Sequence, residues 1–194
     1  MALVSHAVSG YHHALDSLRD PQLAQSLYDE GAVIMADVLL VLHGAQHRAR
    51  RLLELKVFRR DFFRYYEYEL FPVTLSQTMR PFVEAGHADL IDLGYRVTMN
   101  LTADFAGIDR PLKSARETEQ LLALVMCFSE GATLVHSTRS KDAVRNEVRA
   151  ALLEFEKSFY LPSLNRRRTL LERMRQGEIT ETDLPRDVLT VLAQ

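Results

Sequence analysis

The chain is poor in the residues that would make several architectures possible. It has one cysteine, Cys127, so neither an internal disulfide framework nor a cysteine-built zinc site can form. Tryptophan is absent, and glycine and proline number only 8 and 6 in 194 residues. β-branched alternation is almost missing, which argues against strands. No stretch approaches the roughly 20 apolar residues needed to span a bilayer. The opening Met1-Ala-Leu-Val-Ser-His lacks the basic and long apolar regions of a signal peptide. Neither charge dominates. The net is −2, so no global field favours nucleic acid or an anionic membrane surface. These absences leave a soluble, cytoplasmic helical protein as the expectation, with no membrane and no nucleic acid as partner. At this length one domain with a sizeable core is expected.

What is present is helical periodicity nearly throughout, so the fold class is expected to be all-α. Asp20-Pro21 predicts a short helix through Tyr28, with Asp20 as N-cap and proline in the first turn. Residues 31–43 are apolar without a clean period and read as a loop containing one short turn. A helix then runs from Gly44 to Phe58. The aromatic-rich stretch from Asp61 to Leu70 follows. Pro72 marks the first turn of a helix reaching Glu84, which Gly86 stops. Asp89 starts the next helix, with Leu90, Leu93, Val97, Leu101 and Phe105 on one stripe and Gly107 at its end. Arg110-Pro111 is a loop. Ser114 and Glu117 form a capping-box signature for a helix to about Leu134. Ser140 to Tyr160 is long and amphipathic, and Pro162 is expected to interrupt it before a second segment from Leu164 to Gln176. Thr182-Asp183-Leu-Pro185 opens a last helix with Val188, Leu189 and Leu192 on its apolar face. It reaches Gln194 without a C-cap and is marginal alone, so the chain reads as truncated.

Chemistry concentrates in the helix from Gly44. His47 and Arg51 stand four residues apart, which stacks both side chains on one face. Two hydrogen-bonding or cationic groups in register can clamp a carboxylate arriving from one side. His43 and His47 have metal-pair spacing, but no glutamate follows the first histidine and a metal is not the reading. His6, His12, His13, His87 and His136 are scattered. Arg48, Arg50, Arg51, Lys56, Arg59, Arg60 and Arg64 outnumber Glu54 and Asp61. Most of them read as a solvated face, though such a patch can also dock an acidic partner. Arg166, Arg167 and Arg168 read as a second solvated cluster. Cys127, among Leu124, Val125, Met126 and Phe128, reads as a buried, inert thiol.

The order Leu-x-Gly44-x-x-His47-x-x-x-Arg51-Leu-Leu followed by Phe58 resembles helix C of the haem-thiolate monooxygenases, the cytochrome P-450 family. Tyr66-Glu67 and Pro72 follow in the family's order. The stretch Asp89-Leu90 through Thr98 to Asp104-Phe105-Ala-Gly107-Ile-Asp109-Arg-Pro111 is similar to its helix E region. A helix pair joined near residues 136–140 resembles helices F and G, and Asp183-Leu-Pro-Arg-Asp187-Val-Leu-Thr resembles the approach to helix I. The likeness spans about residues 18 to 194 and about the N-terminal half of the family's domain, so residues 1–194 read as one incomplete domain.

The resemblance implies that His47 and Arg51 bind the propionates of a haem cofactor. It implies a small hydrophobic substrate lined by the loop from Val33 to Leu42 and the helix from Gln120 to Leu134. Electrons would come from a ferredoxin or flavoprotein, docked on the face around Arg48 and Arg50. The chain departs from the family in two places. The oxygen-activating motif of helix I is not encoded, and Ala106-Gly107-Ile108-Asp109-Arg110 has arginine where that motif has threonine. The Phe-x-x-Gly loop carrying the ligand cysteine is also missing, as Cys127 has neither its flanks nor its position. Glu172 and Arg175 share a family spacing but precede helix I. The expectation is therefore a fragment inactive by itself, with no catalytic residue and no iron ligand of its own. The alternatives are a non-enzymatic helical binding or accessory protein and one chain of a split enzyme. Apolar faces without partners predict self-association.

Overall fold

A computed structural model describes residues 7–111 and 114–194. The signal-peptide reading of the first residues and His6 lie outside the described residues. The described residues form an all-α fold with no strand. The helices are α1 (Tyr11–Arg19), α2 (Ala32–Met35), α3 (Gly44–Glu54), α4 (Arg60–Tyr65), α5 (Phe71–Ala85), α6 (Leu90–Ala106), α7 (Ala115–Ala132), α8 (Lys141–Phe155), α9 (Leu161–Arg175) and α10 (Val188–Ala193).

The core is built from α6 to α9. Met99 and Ala103 of α6 pack on Leu121 and Leu124 of α7 and on Phe159. A second cluster of Leu134, Val144 and Val148 joins α7 to α8, and Val33 and Ile34 of α2 cover it. Sequence explains these packings. Leu121 and Leu124, like Val144 and Val148, recur at three- or four-residue spacing and face one side of their helices. Small residues set the approach distances. A Cβ on Gly131 would lie 2.6 Å from Val148 Cγ2, and one on Gly31 would lie 2.6 Å from the carbonyl oxygens of Gly131 and Ala132. Glycine at 31 thus lets the start of α2 lie directly on the end of α7.

Several helix ends follow their caps. Asp89 accepts from the backbone N–H groups of Ile91 and Asp92 at 2.8 and 3.1 Å. Ser114 accepts from that of Glu117 at 3.2 Å. Gly86 and Gly107 close α5 and α6 at φ 73° and 86°, a region open to glycine at little steric cost.

Of two prolines, Pro72 stands in the first turn of α5 as the sequence predicts, while Pro162 departs from its expectation. Pro162 does not interrupt its helix, because the chain runs helically from Lys141 through Arg175. The five residues Glu156–Tyr160 form a π turn, and the N–H of Leu161 reaches the carbonyl of Glu156. Proline's clash is with the carbonyl four residues earlier, and a widened turn relieves it. The same device precedes Pro72. Tyr66–Leu70 is a π turn closed by the N–H of Phe71 on the carbonyl of Tyr66, so α4 and α5 are continuous.

Other boundaries move as well. Residues 20–28 are turns and irregular chain, not a helix; the carboxylate of Asp20 accepts from Gln22 N–H at 2.8 Å and closes a local turn. The helix lies just before it, as α1. Residues 31–43 hold both α2 and a 3-10 turn at Leu39–Val41. Helix α3 stops at Glu54, short of Phe58, and α7 stops at Ala132, with a 3-10 turn at Leu134–His136. Thr180 and Asp183 form a reciprocal capping box on a 3-10 turn, and α10 begins later, capped by Asp187. Among the described residues no helix is long and apolar enough to cross a membrane.

Candidate functional site

Helix α3 carries His47 and Arg51 as its sequence predicts. It begins at Gly44 with φ 56°, after an extended His43. No residue of α3 is buried, and positions 43–53 are all exposed. Its principal neighbour is the 3-10 turn at Leu39–Val41. The side chain of His47 makes no hydrogen bond or ion pair within the described residues, and neither does Arg48, Arg50 or Lys56. Arg51 places its guanidinium carbon 6.0 Å from the ring centre of Phe58. Phe58 in turn lies 6.0 Å from Phe63, centre to centre. The aromatic pair therefore holds Arg51 from below while its donors stay open to solvent.

An open groove of about 580 Å³ runs along a different face of α3, between Asp37, Leu42, Gln46, Ala49, Arg50 and Leu53. His47 and Arg51 do not line it. His43 and His47 gather no further ligand. No group of three or more His, Cys, Asp or Glu suited to a metal ion occurs among the described residues.

The segments read as substrate-lining come together only in part. Val33 and Ile34 pack against the Leu134 cluster beneath α7. A separate apolar cavity of about 290 Å³ opens between α6 and α7, with Leu121, Leu122, Val125, Met126 and Ser129 on its α7 wall. The α7 helix lines this cavity, and residues 33–42 are not among its lining.

Cys127 is half-buried, less enclosed than the sequence suggested. Burial and the nearby carboxylates of Glu147 and Glu130 raise its thiol above the ordinary value. A thiol held protonated is a poor nucleophile and a poor metal ligand.

The arginine cluster at 166–168 differs from its sequence reading. Arg167 is buried, 5% exposed, and is not a solvated charge. Its Nε and Nη2 donate to Asp187 at 3.2 and 2.7 Å, and its Nη1 donates to Asp109. Arg166 pairs with Asp109 at 2.9 Å. Burial alone would lower the basicity of Arg167, but the two carboxylates outweigh it and raise it. Arg110 is buried likewise, on Asn100 and Asp104. The sequence carried one sign of these pairs, the acids Asp104 and Asp109 standing within six residues of Arg110.

Around α4, Phe62 and Tyr66 pack edge-on against Phe105 at 5.3 and 5.2 Å. Arg186 lies 5.4 Å over Tyr65. Burial raises both tyrosines above their ordinary value. These contacts tie the base of the α3 region to α6 and to the segment before α10. Compared with protein-family models, curated proteins and solved structures, the chain matches none of them.

Proposed function

We propose that this chain is the helical N-terminal part of a haem-thiolate monooxygenase of the cytochrome P-450 family. In the complete protein it would insert oxygen into a small hydrophobic substrate, drawing electrons from a ferredoxin or flavoprotein. The observation that supports this most is α3 itself. It presents His47 and Arg51 on one helical face, neither with a carboxylate partner among the described residues, and its sequence follows the order of the family's motif.

The donors present fit the carboxylates of a haem and not its iron. Arg51 supplies a permanent charge and several N–H donors, and His47 supplies a ring N–H beside it. Cys127 does not fit as the axial thiolate. It lies on α7 among the residues packed on Leu134, Val144 and Val148, and burial keeps its thiol protonated. When bound with a thiolate ligand, haem supplies the oxygen-activating iron centre. This chain's residues orient the porphyrin edge and contribute apolar walls from α7. Exposed ion pairs contribute only about 0.2–1 kcal/mol each, so His47 and Arg51 orient a haem without retaining it. Arg48 and Arg50 form the docking face for an acidic electron donor, an attraction that added salt weakens.

Two measurements test this reading. The coding sequence beyond Gln194 is expected to supply a threonine-bearing helix motif and a Phe-x-x-Gly loop with its cysteine. Its absence from the intact polypeptide and from any partner chain would remove the assignment. Haem added to residues 1–194, reduced with dithionite and exposed to carbon monoxide, is expected to give no thiolate-type Soret band and no substrate oxidation. Such a band would overturn the placement of the iron ligand outside this chain.

A further inference from the structure

Arg51 differs from the other cations of α3. Its guanidinium lies over the ring of Phe58, while Arg48 and Arg50 have no aromatic contact among the described residues. The ring beneath it is fixed from two directions, although Phe58 is 44% exposed. Along the chain, the carbonyl of Glu54 accepts from the N–H groups of Val57 and Phe58 at 3.0 and 3.2 Å, which makes a tight turn directly after α3. Val57, 3% exposed, is the buried point of that turn.

Across the fold, Phe58 rests on Phe63 of α4, with ring centres 6.0 Å apart. The adjacent Phe62 meets Phe105 of α6 edge-on, and Tyr66 meets the same ring. Consecutive residues of a helix diverge by about 100°, so Phe62 and Phe63 can serve two different neighbours. Short as it is, α4 thereby links a ring of α6 to the one under Arg51. An exposed arginine normally keeps its rotamer freedom until a ligand takes it away, which weakens binding. Holding the side chain in place beforehand removes that loss, worth about two- to tenfold in affinity.

We infer that Phe58, backed by Phe63, is a positioning residue for Arg51. It holds the guanidinium in place before a carboxylate arrives, so that two N–H donors meet the two carboxylate oxygens together. The inference rests on the haem reading, in which that carboxylate is a propionate. An aromatic ring is required at position 58, because its negative face attracts the cation and a leucine of similar bulk has none.

Two measurements on the whole chain test this. In the free chain, nuclear spin relaxation of the arginine Nε–H groups is expected to show Arg51 more ordered than Arg48 and Arg50. Phe58→Leu, an apolar exchange at an exposed position, is expected to bring Arg51 to their level. In absorbance titrations, the preference for haem over haem dimethyl ester is expected to fall about two- to tenfold in Phe58→Leu and to persist in Phe58→Tyr, which keeps a ring. In an Arg51→Ala background, Phe58→Leu is expected to change that preference no further, a coupling that a general structural role would not produce. Arg51 as mobile as Arg48 in the parent, a preference unchanged by Phe58→Leu, or the same fall without Arg51 would each overturn the inference. An ordered Arg51 in a parent that binds acid and ester equally would instead remove the haem reading and leave Phe58 positioning Arg51 for another carboxylate.

Discussion

Residues 7–65 and residues 66–194 treat the same kinds of side chain in opposite ways. In the first region only Gly31 and Val57 are buried, and Leu18, Leu52 and Phe58 stay exposed. In the second, α6 to α9 enclose two apolar clusters. The arginines divide along the same line. Arg48 and Arg50 stand in solvent with no carboxylate partner among the described residues, whereas Arg110 and Arg167 are buried on aspartates. A buried guanidinium requires its partners, so those of the second region are committed to the fold. The cations of α3 are not committed and remain available for an outside ligand.

The sharpest way to break this contrast is to truncate one arginine from each region. Arg167→Ala would leave Asp187, with its side chain 5% exposed, without its counter-charge. A loss of about 3–5 kcal/mol in urea unfolding is expected. Arg48→Ala is expected to change stability by less than about 0.5 kcal/mol. Equal losses would erase the distinction between structural and available charge.

The apolar residues allow a parallel test. Leu134 is 0% exposed at the junction of α7, α8 and α2, and Leu134→Ala is expected to cost about 2–5 kcal/mol by the same measurement. Leu52 is 63% exposed, and Leu52→Ala should leave unfolding within about 0.5 kcal/mol of the parent.

Much of the second region was legible in the sequence because its signals are local. The aspartate and serine caps at Asp89 and Ser114 and the stop at Gly107 are written within a few residues of where they act. The i, i+4 placement of His47 and Arg51 was equally local. Three features were not. The π turns before Pro72 and Pro162 depend on a widened backbone that proline's rule does not announce. The short helix expected at residues 20–28 lost to a side-chain turn at Asp20, and α1 formed instead over Tyr11–Arg19. The burial of Arg167 depends on Asp109 and Asp187, 58 and 20 residues away, and a run of three arginines cannot reveal that its middle member turns inward.

Where the two regions meet, the junction itself can be weakened. Gly31 lies on the end of α7, and a Cβ there would sit 2.6 Å from two backbone carbonyl oxygens. Gly31→Ala is expected to lift α2 off the Leu134 cluster, costing about 1–3 kcal/mol. Amide hydrogen exchange should rise in residues 31–35 more than in α9. Uniform protection would contradict this contact as the anchor.

The smallest effect is expected from pH. Glu30 pairs with Lys141 at 2.9 Å and with Arg145 at 2.6 Å. The hydrogen bond and charge of Lys141, with Arg145 adding to them, hold its carboxyl below the usual 4.5. Because the folded value is the lower one, its stabilisation is present above pH 4.5 and disappears as the pH falls through the folded value. The pair is solvent-exposed, so the effect is modest and salt-sensitive. Glu30→Gln should flatten this part of the acid-stability curve, and an unchanged curve would assign the acid response elsewhere.

The central claim is that the free donors of α3 receive the carboxylates of a haem. It is tested most directly by comparing haem with haem dimethyl ester, whose propionates carry no charge, in absorbance titrations of the chain. The account predicts tighter binding of the free acid by the parent chain, by about two- to thirtyfold for two exposed charge-assisted contacts. It predicts that His47→Ala combined with Arg51→Ala removes that preference. Equal binding of acid and ester by the parent, or a preference that survives the double substitution, would contradict it.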